Sequence, residues 1–215
     1  EPYRRQRQMC IRDSNDVAFK YKIYPQGETL SCVVKQEVTG FAFPDGTTTF
    51  LCPQSKPMGG FARTSPSYET SYTADDVAGK NGWGEGYTFP CLFRNGDNGW
   101  VLVSETGVNG GYCASRLLGH KGGVYTIGFP QEGEANGNGT VSPGIALPGE
   151  TPWRTITVGK TLAPIVETTV PFDVVKPLYP AKGEYTYGRG SWSWIIGMDG
   201  STKYEAVSYT HLRAH

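Results

Sequence analysis

The sequence carries little charge for its length. Asp, Glu, Lys and Arg make up 19% of 215 residues, and the formal net charge is zero. No global field therefore favours nucleic acid or an anionic membrane as a partner. No run approaches the ~18–20 apolar residues that a bilayer span requires, so no membrane-spanning helix is expected. Histidine is scarce, with His120 the only one outside the last five residues, which leaves thin material for a Ser-His-Asp triad or a His-based metal centre. The five cysteines form no Cys-x-x-Cys, which argues against a thiolate zinc site or a thioredoxin-like redox motif.

What the chain has instead is 29 Gly, 15 Pro and 13% aromatic residues, a mixture that favours short strands and turns over helices. Val17, Phe19, Tyr21 and Ile23 alternate with Lys20 and Lys22, the period of a strand with one buried face. Further strands are expected over 29–36, 47–52, 87–94, 100–105, 113–118, 123–129 and 153–158. The Asn95-Gly96-Asp97-Asn98-Gly99 segment reads as a hairpin loop with glycines placed for positive φ. Residues 131–150, rich in Gly, Pro and Asn, read as a long exposed loop. Many short strands with turn signals and no sustained helical period predict an all-β sandwich. After Lys160 a short helical or irregular piece is expected over 161–169, and Pro171, Pro177 and Pro180 predict an extended linker. One more strand, 187–196, then reads as the opening of a second domain.

The two ends differ from this body. Residues 1–14 crowd four arginines together with no hydrophobic period, and they resemble a translated sequencing-library oligonucleotide of the kind found at the edges of metagenomic fragments. Residues 207–215 resemble its counterpart at the other end. Both are read as non-native and expected to add no strand to the sheets. That leaves a mildly acidic body, divided into a β-sandwich over 15–170 and a linker with one strand over 171–206. It also sets Cys10 aside. Cys32, Cys52, Cys91 and Cys113 could form two disulfides with three possible connectivities, and free thiols are the favoured expectation.

Several stretches in order resemble glycoside hydrolase family 97, the calcium-dependent α-glycosidases of saccharide-degrading bacteria. They are Asp16-Val17-Ala18-Phe19-Lys20-Tyr21, Phe41-Ala42-Phe43-Pro44, Ser104-Glu105 with Tyr112 seven residues on, Thr151-Pro152-Trp153-Arg154-Thr155-Ile156, and Gly188-Arg189-Gly190-Ser191-Trp192-Ser193-Trp194. The resemblance implies a galactose-mutarotase-like β-supersandwich followed by the truncated first strand of a catalytic (β/α)8 barrel. It implies a periplasmic or secreted bacterial enzyme that cleaves α-linked oligosaccharides, glucosides or galactosides, with the sandwich packed on the barrel. The catalytic acid and the base or nucleophile of such an enzyme would lie beyond Glu205, so this chain would be inactive by itself.

Glu105 closes an inward row with Val101 and Val103, and a carboxylate there must face water, a cationic partner or a metal. The resemblance implies that it ligates calcium at the barrel mouth, where it would be expected to stand unpaired by Lys or Arg, on the side from which 188–196 emerges. Trp192 and Trp194 share one face of the last strand, where packing inside a barrel competes with stacking on a sugar. Trp83, amid Gly82, Gly84 and Gly86, could meet a sugar from a loop. The Gly-rich stretch around it lacks the strand–helix context of a dinucleotide loop. A stand-alone carbohydrate-binding sandwich is the alternative reading, and there 188–196 would pair within the sheet.

Overall fold

The computed structural model describes residues 6–13, 15–53, 73–78, 86–121, 123–130, 132, 142–179, 182–184, 186 and 188. The chain divides into two compact units, Glu1–Lys176 and Pro177–His215. The first holds β1 (Gln6–Asp13), β2 (Asp16–Ile23), β3 (Ser31–Val33), β4 (Gly40–Ala42), β5 (Thr48–Pro53), β6 (Asp76–Val77) and β7 (Tyr87–Arg94). It continues with β8 (Trp100–Thr106), β9 (Arg116–Lys121), β10 (Val124–Gly128), β11 (Gly144–Ala146), β12 (Gly149–Glu150) and β13 (Trp153–Gly159), and ends in α1 (Ala163–Glu167) and α2 (Val170–Val174). The described residues of the second unit contain no helix or strand.

The fold is an all-β sandwich made by one antiparallel sheet that curls over itself. Its path runs β1-β2-β13-β8-β7-β9-β10-β4, with β5 beside β7, β6 beside β5 and β12 beside β2, while β3 and β11 form a separate pair. Pro90 marks the place where the sheet changes partners. On one edge β7 pairs with β8 over Cys91–Arg94, whereas before Pro90 only Tyr87 pairs across to Leu117 of β9. A residue without an N–H cannot continue a ladder on its donor side, and the β5–β7 register also slips here, between Phe50 and Cys52. The two leaves then close face to face. Phe93 and Val103 of β7 and β8 share one core with Tyr125 and Ile127 of β10, Phe41 of β4, Leu51 of β5 and Leu117 of β9. Phe43 stacks on Phe93 with centroids 4.0 Å apart, and Tyr125 meets Phe93 edge-on at 5.3 Å. Burying one such ring contributes about 1.5–3 kcal/mol.

The hairpin at 95–99 forms as the sequence predicts. Asn95 N–H donates to Gly99 O at 2.9 Å, and Gly96 and Gly99 take φ of 50° and 134°. A Cβ on Gly99 would stand 2.5 Å from Gly159 O, so glycine is required there for close approach as well as for φ.

Several expectations need correction, among them the strand expected over 113–118, which runs over Arg116–Lys121. The leader does add a strand: β1 pairs with β2 from Gln6↔Ile23 to Asp13↔Asp16. An edge strand offers its backbone to any extended segment beside it. In β2 the closely buried residue is Ala18, covered by Trp153 and Val170, while Phe19 packs on the main core; both faces of the strand are occupied. The strand expected over 29–36 shrinks to Ser31–Val33. The long loop contains β11, paired with β3, and β12, paired with β2. Pro171 lies in the first turn of α2, where a missing N–H costs nothing, so the linker does not start there. The tail 207–215 and, apart from Gly188, the strand 188–196 lie outside the described residues, as do Trp83, Trp192 and Trp194. Cys32, Cys52, Cys91 and Cys113 are free thiols.

Candidate functional site: a buried arginine held by two glutamates

One end of the core face is polar. Alternation puts Val101, Val103 and Glu105 of β8 on that face, and the β8–β13 ladder sets Ile156 opposite Val103 and Arg154 opposite Glu105. On the other side Arg154 has Phe19 of β2 as its cross-strand neighbour. A charged residue in an inward row must bring its partners with it, because an unpaired buried charge costs several kcal/mol.

Arg154 is fully buried and finds two carboxylates. Its Nε and Nη2 donate side by side to Glu37 Oε1 and Oε2 at 2.9 and 2.6 Å. Its Nη1 donates to Glu105 Oε2 at 2.5 Å, and Nη2 also reaches Ser115 Oγ at 3.0 Å. Four of the five guanidinium donors are thereby used. The backbone N–H of Ser115 donates to Glu105 Oε1 at 2.9 Å. Thr39 donates to Glu37 Oε1 at 2.9 Å, and its hydroxyl lies 3.2 Å from that of Tyr21. Two carboxylates share one guanidinium, so the cluster carries a net charge of −1.

The electrostatics follow from this arrangement. Burial pulls the Arg154 pKa down, but the hydrogen bonds and charges of Glu37 and Glu105 more than reverse it, and the guanidinium stays charged. Burial, with the charge of Glu105 next, pushes the Cys113 thiol up to about 11. Burial, then the charge of Glu37, raises the Tyr112 phenol as well. Among the described residues the Tyr112 hydroxyl is buried without a hydrogen-bond partner.

Glu105 therefore occupies the inward strand-end position that the alternation predicts, but it is not free. The expectation of a carboxylate unpaired by Lys or Arg is overturned by Arg154, whose cross-strand position places the guanidinium beside it. Sequence reading missed Glu37 altogether. It stands 117 positions from Arg154, in a polar stretch that carries no periodic signal. Arg154 stands in the 151–156 stretch that the sequence singles out, and its inward direction follows from its parity with the core-packed Ile156.

Calcium takes six to eight oxygens. Among the described residues no group of three or more His, Cys, Asp or Glu is placed to hold a metal. Glu105 fits as one donor of such a set: each carboxylate oxygen accepts one hydrogen bond here and has capacity for another. The remaining ligands would have to come from outside these residues.

Comparison with known proteins places the chain in a family. The model of the Glycosyl-hydrolase 97 N-terminal family matches residues 10–177. A crystal structure of a beta-arabinopyranosidase is similar at 58% identity and TM-score 0.81, over 91% of this chain and 32% of that one. A Glycoside Hydrolase Family 97 enzyme from Pseudoalteromonas sp. strain K8, in complex with panose, is similar in fold at 22% identity and TM-score 0.56, over 76% of this chain and 22% of that one. The chain thus spans a third or less of the length of these enzymes. No curated protein matches it. No helix among the described residues is long and apolar enough to cross a membrane. A family match that covers every strand of the curled sheet but the start of β1, and that takes in Glu37, Glu105 and Arg154, settles the assignment: the chain belongs to the N-terminal domain family of glycoside hydrolase 97.

Proposed function

We propose that this chain is the non-catalytic N-terminal domain of a secreted or periplasmic glycoside hydrolase, which shapes the rim of the active site and lends Glu105 as one calcium ligand. The observation that carries the calcium role is the net negative charge of the Glu37–Arg154–Glu105 cluster, combined with the spare acceptor capacity of Glu105 at its edge. A ligating carboxylate is typically held in place by hydrogen bonds from behind, and Arg154 and the Ser115 N–H occupy that role. The reaction of the intact enzyme is glycoside hydrolysis by carboxylates of its barrel domain. For its substrate the 58%-identical relative argues for β-arabinopyranosides ahead of the α-galactosides and α-glucosides that the sequence resemblance implies.

The test has two arms. The isolated chain should not hydrolyse nitrophenyl β-arabinopyranoside, α-galactoside or α-glucoside, and millimolar calcium should leave its melting temperature unchanged. A preformed complete site would instead raise stability by about 2.7 kcal/mol at a hundredfold excess over Kd. The intact enzyme should turn over the arabinoside fastest and be stabilised by calcium. Turnover by the isolated chain would overturn the non-catalytic assignment.

A further inference from the structure

We infer that Arg154 and Glu37 are positioning residues for Glu105, and that this buried pair sets both the direction and the effective charge of the Glu105 carboxylate toward a cation. The inference rests on the calcium reading of Glu105 and deepens it by assigning separate roles to the two residues behind that carboxylate.

Three observations carry it. First, Arg154 is the cross-strand partner of Glu105, so the ladder itself fixes the separation of their backbones. Second, Glu37 takes the Nε–Nη2 edge of the guanidinium in a two-bond fork, which prevents its rotation and leaves Nη1 aimed at Glu105 Oε2. Third, the Ser115 N–H holds the other Glu105 oxygen, so the carboxylate plane has two anchors on separate elements. A single arginine beside Glu105 would neutralise it and repel a cation. Glu37 removes that objection, because its charge cancels that of Arg154 and leaves Glu105 with a full unit of negative charge. The fork also explains why arginine rather than lysine stands at 154, since an ammonium cannot span both carboxylates with fixed geometry.

The experiment is calcium titration calorimetry on the intact, EDTA-stripped enzyme and on its Glu105→Gln, Glu37→Gln and Arg154→Lys variants. Each is measured well below its own calcium-free melting temperature, and its fold is checked by near-UV circular dichroism. Glu105→Gln should weaken calcium binding directly. Glu37→Gln removes one arm of the fork and exposes Glu105 to the whole Arg154 charge, and Arg154→Lys keeps that charge but loses the fork altogether. Both should weaken calcium binding by about 10–100-fold, the usual effect of removing an outer partner of a metal ligand. A purely structural role would lower the melting temperature of the folded variants and leave their calcium affinity unchanged. If Glu105→Gln weakens binding while the other two match the wild type, the positioning inference is overturned and the calcium role stands. If Glu105→Gln itself binds calcium normally, the calcium role falls and the inference with it.

Discussion

Around Phe93 the inner face of the sheet is filled by rings and aliphatic groups; around Arg154, further along the same face, it is filled by a guanidinium, two carboxylates and two hydroxyls. Both regions exclude water. The first does so with contacts that are individually weak and tolerant of rearrangement, the second with a few directional bonds that must all be made. Core packing therefore degrades by degrees, whereas the polar end fails when one member is lost. An apolar plug of similar volume would serve stability about as well there.

The largest expected effect separates the two regions. Arg154→Met should destabilise the chain by about 3–5 kcal/mol, because it leaves two carboxylates buried without their cation. Adding Glu37→Leu and Glu105→Leu to Arg154→Met should recover most of that loss. Urea unfolding followed by tryptophan fluorescence measures both, and a triple variant as unstable as the single one would place the damage in packing rather than charge.

Phe93→Ala should cost about 3–5 kcal/mol through the cavity left under Phe43 and Tyr125. Here a partial refill is the discriminating variant. Phe93→Leu should recover more than half of the loss, whereas no conservative change at Arg154, lysine included, should recover as much.

A smaller effect appears in alkali. Cys113, raised from 9.0 to about 11 in the fold, keeps its proton between those values while the unfolded chain loses it. Its contribution is thus fully present below pH 9 and is lost as pH rises toward 11, with Tyr112, also raised, extending the loss upward. The full linkage slope for one group is about 1.4 kcal/mol per pH unit, and partial exposure of Cys113 reduces it. Cys113→Ser should flatten the stability profile between pH 9 and 11, and an unchanged profile would remove the thiol from the account.

The smallest effect lies at the surface. Lys20 pairs with Glu150 and sits 4.8 Å from the centroid of the Trp153 ring. Glu150→Gln should cost about 0.2–1 kcal/mol and less in high salt.

Much of this fold was legible because its core strands alternate cleanly. The β7 strand begins and ends where the pattern puts it, and β8 and β13 each run one residue past it. The hairpin glycines marked their own turn. What failed was pairing that depends on backbone rather than side chains. The β1 strand has no hydrophobic period, and the short β11 and β12 are stabilised by partners distant in sequence. The same distinction runs through the site. Glu105 was visible from the parity of Val101 and Val103, while Glu37 became visible only when the fold brought it to Arg154. A salt bridge across 117 residues leaves no local trace.

The most direct test of the account is a double-mutant cycle between Arg154 and Glu105 in this chain, with Arg154→Met, Glu105→Gln and the pair compared by urea unfolding. The ladder, the 2.5 Å bond and the burial of both side chains predict a coupling of about 2 kcal/mol, with the double variant less damaged than the two losses added together. A coupling below about 0.5 kcal/mol, the level of independent sites, would show that Arg154 does not hold Glu105.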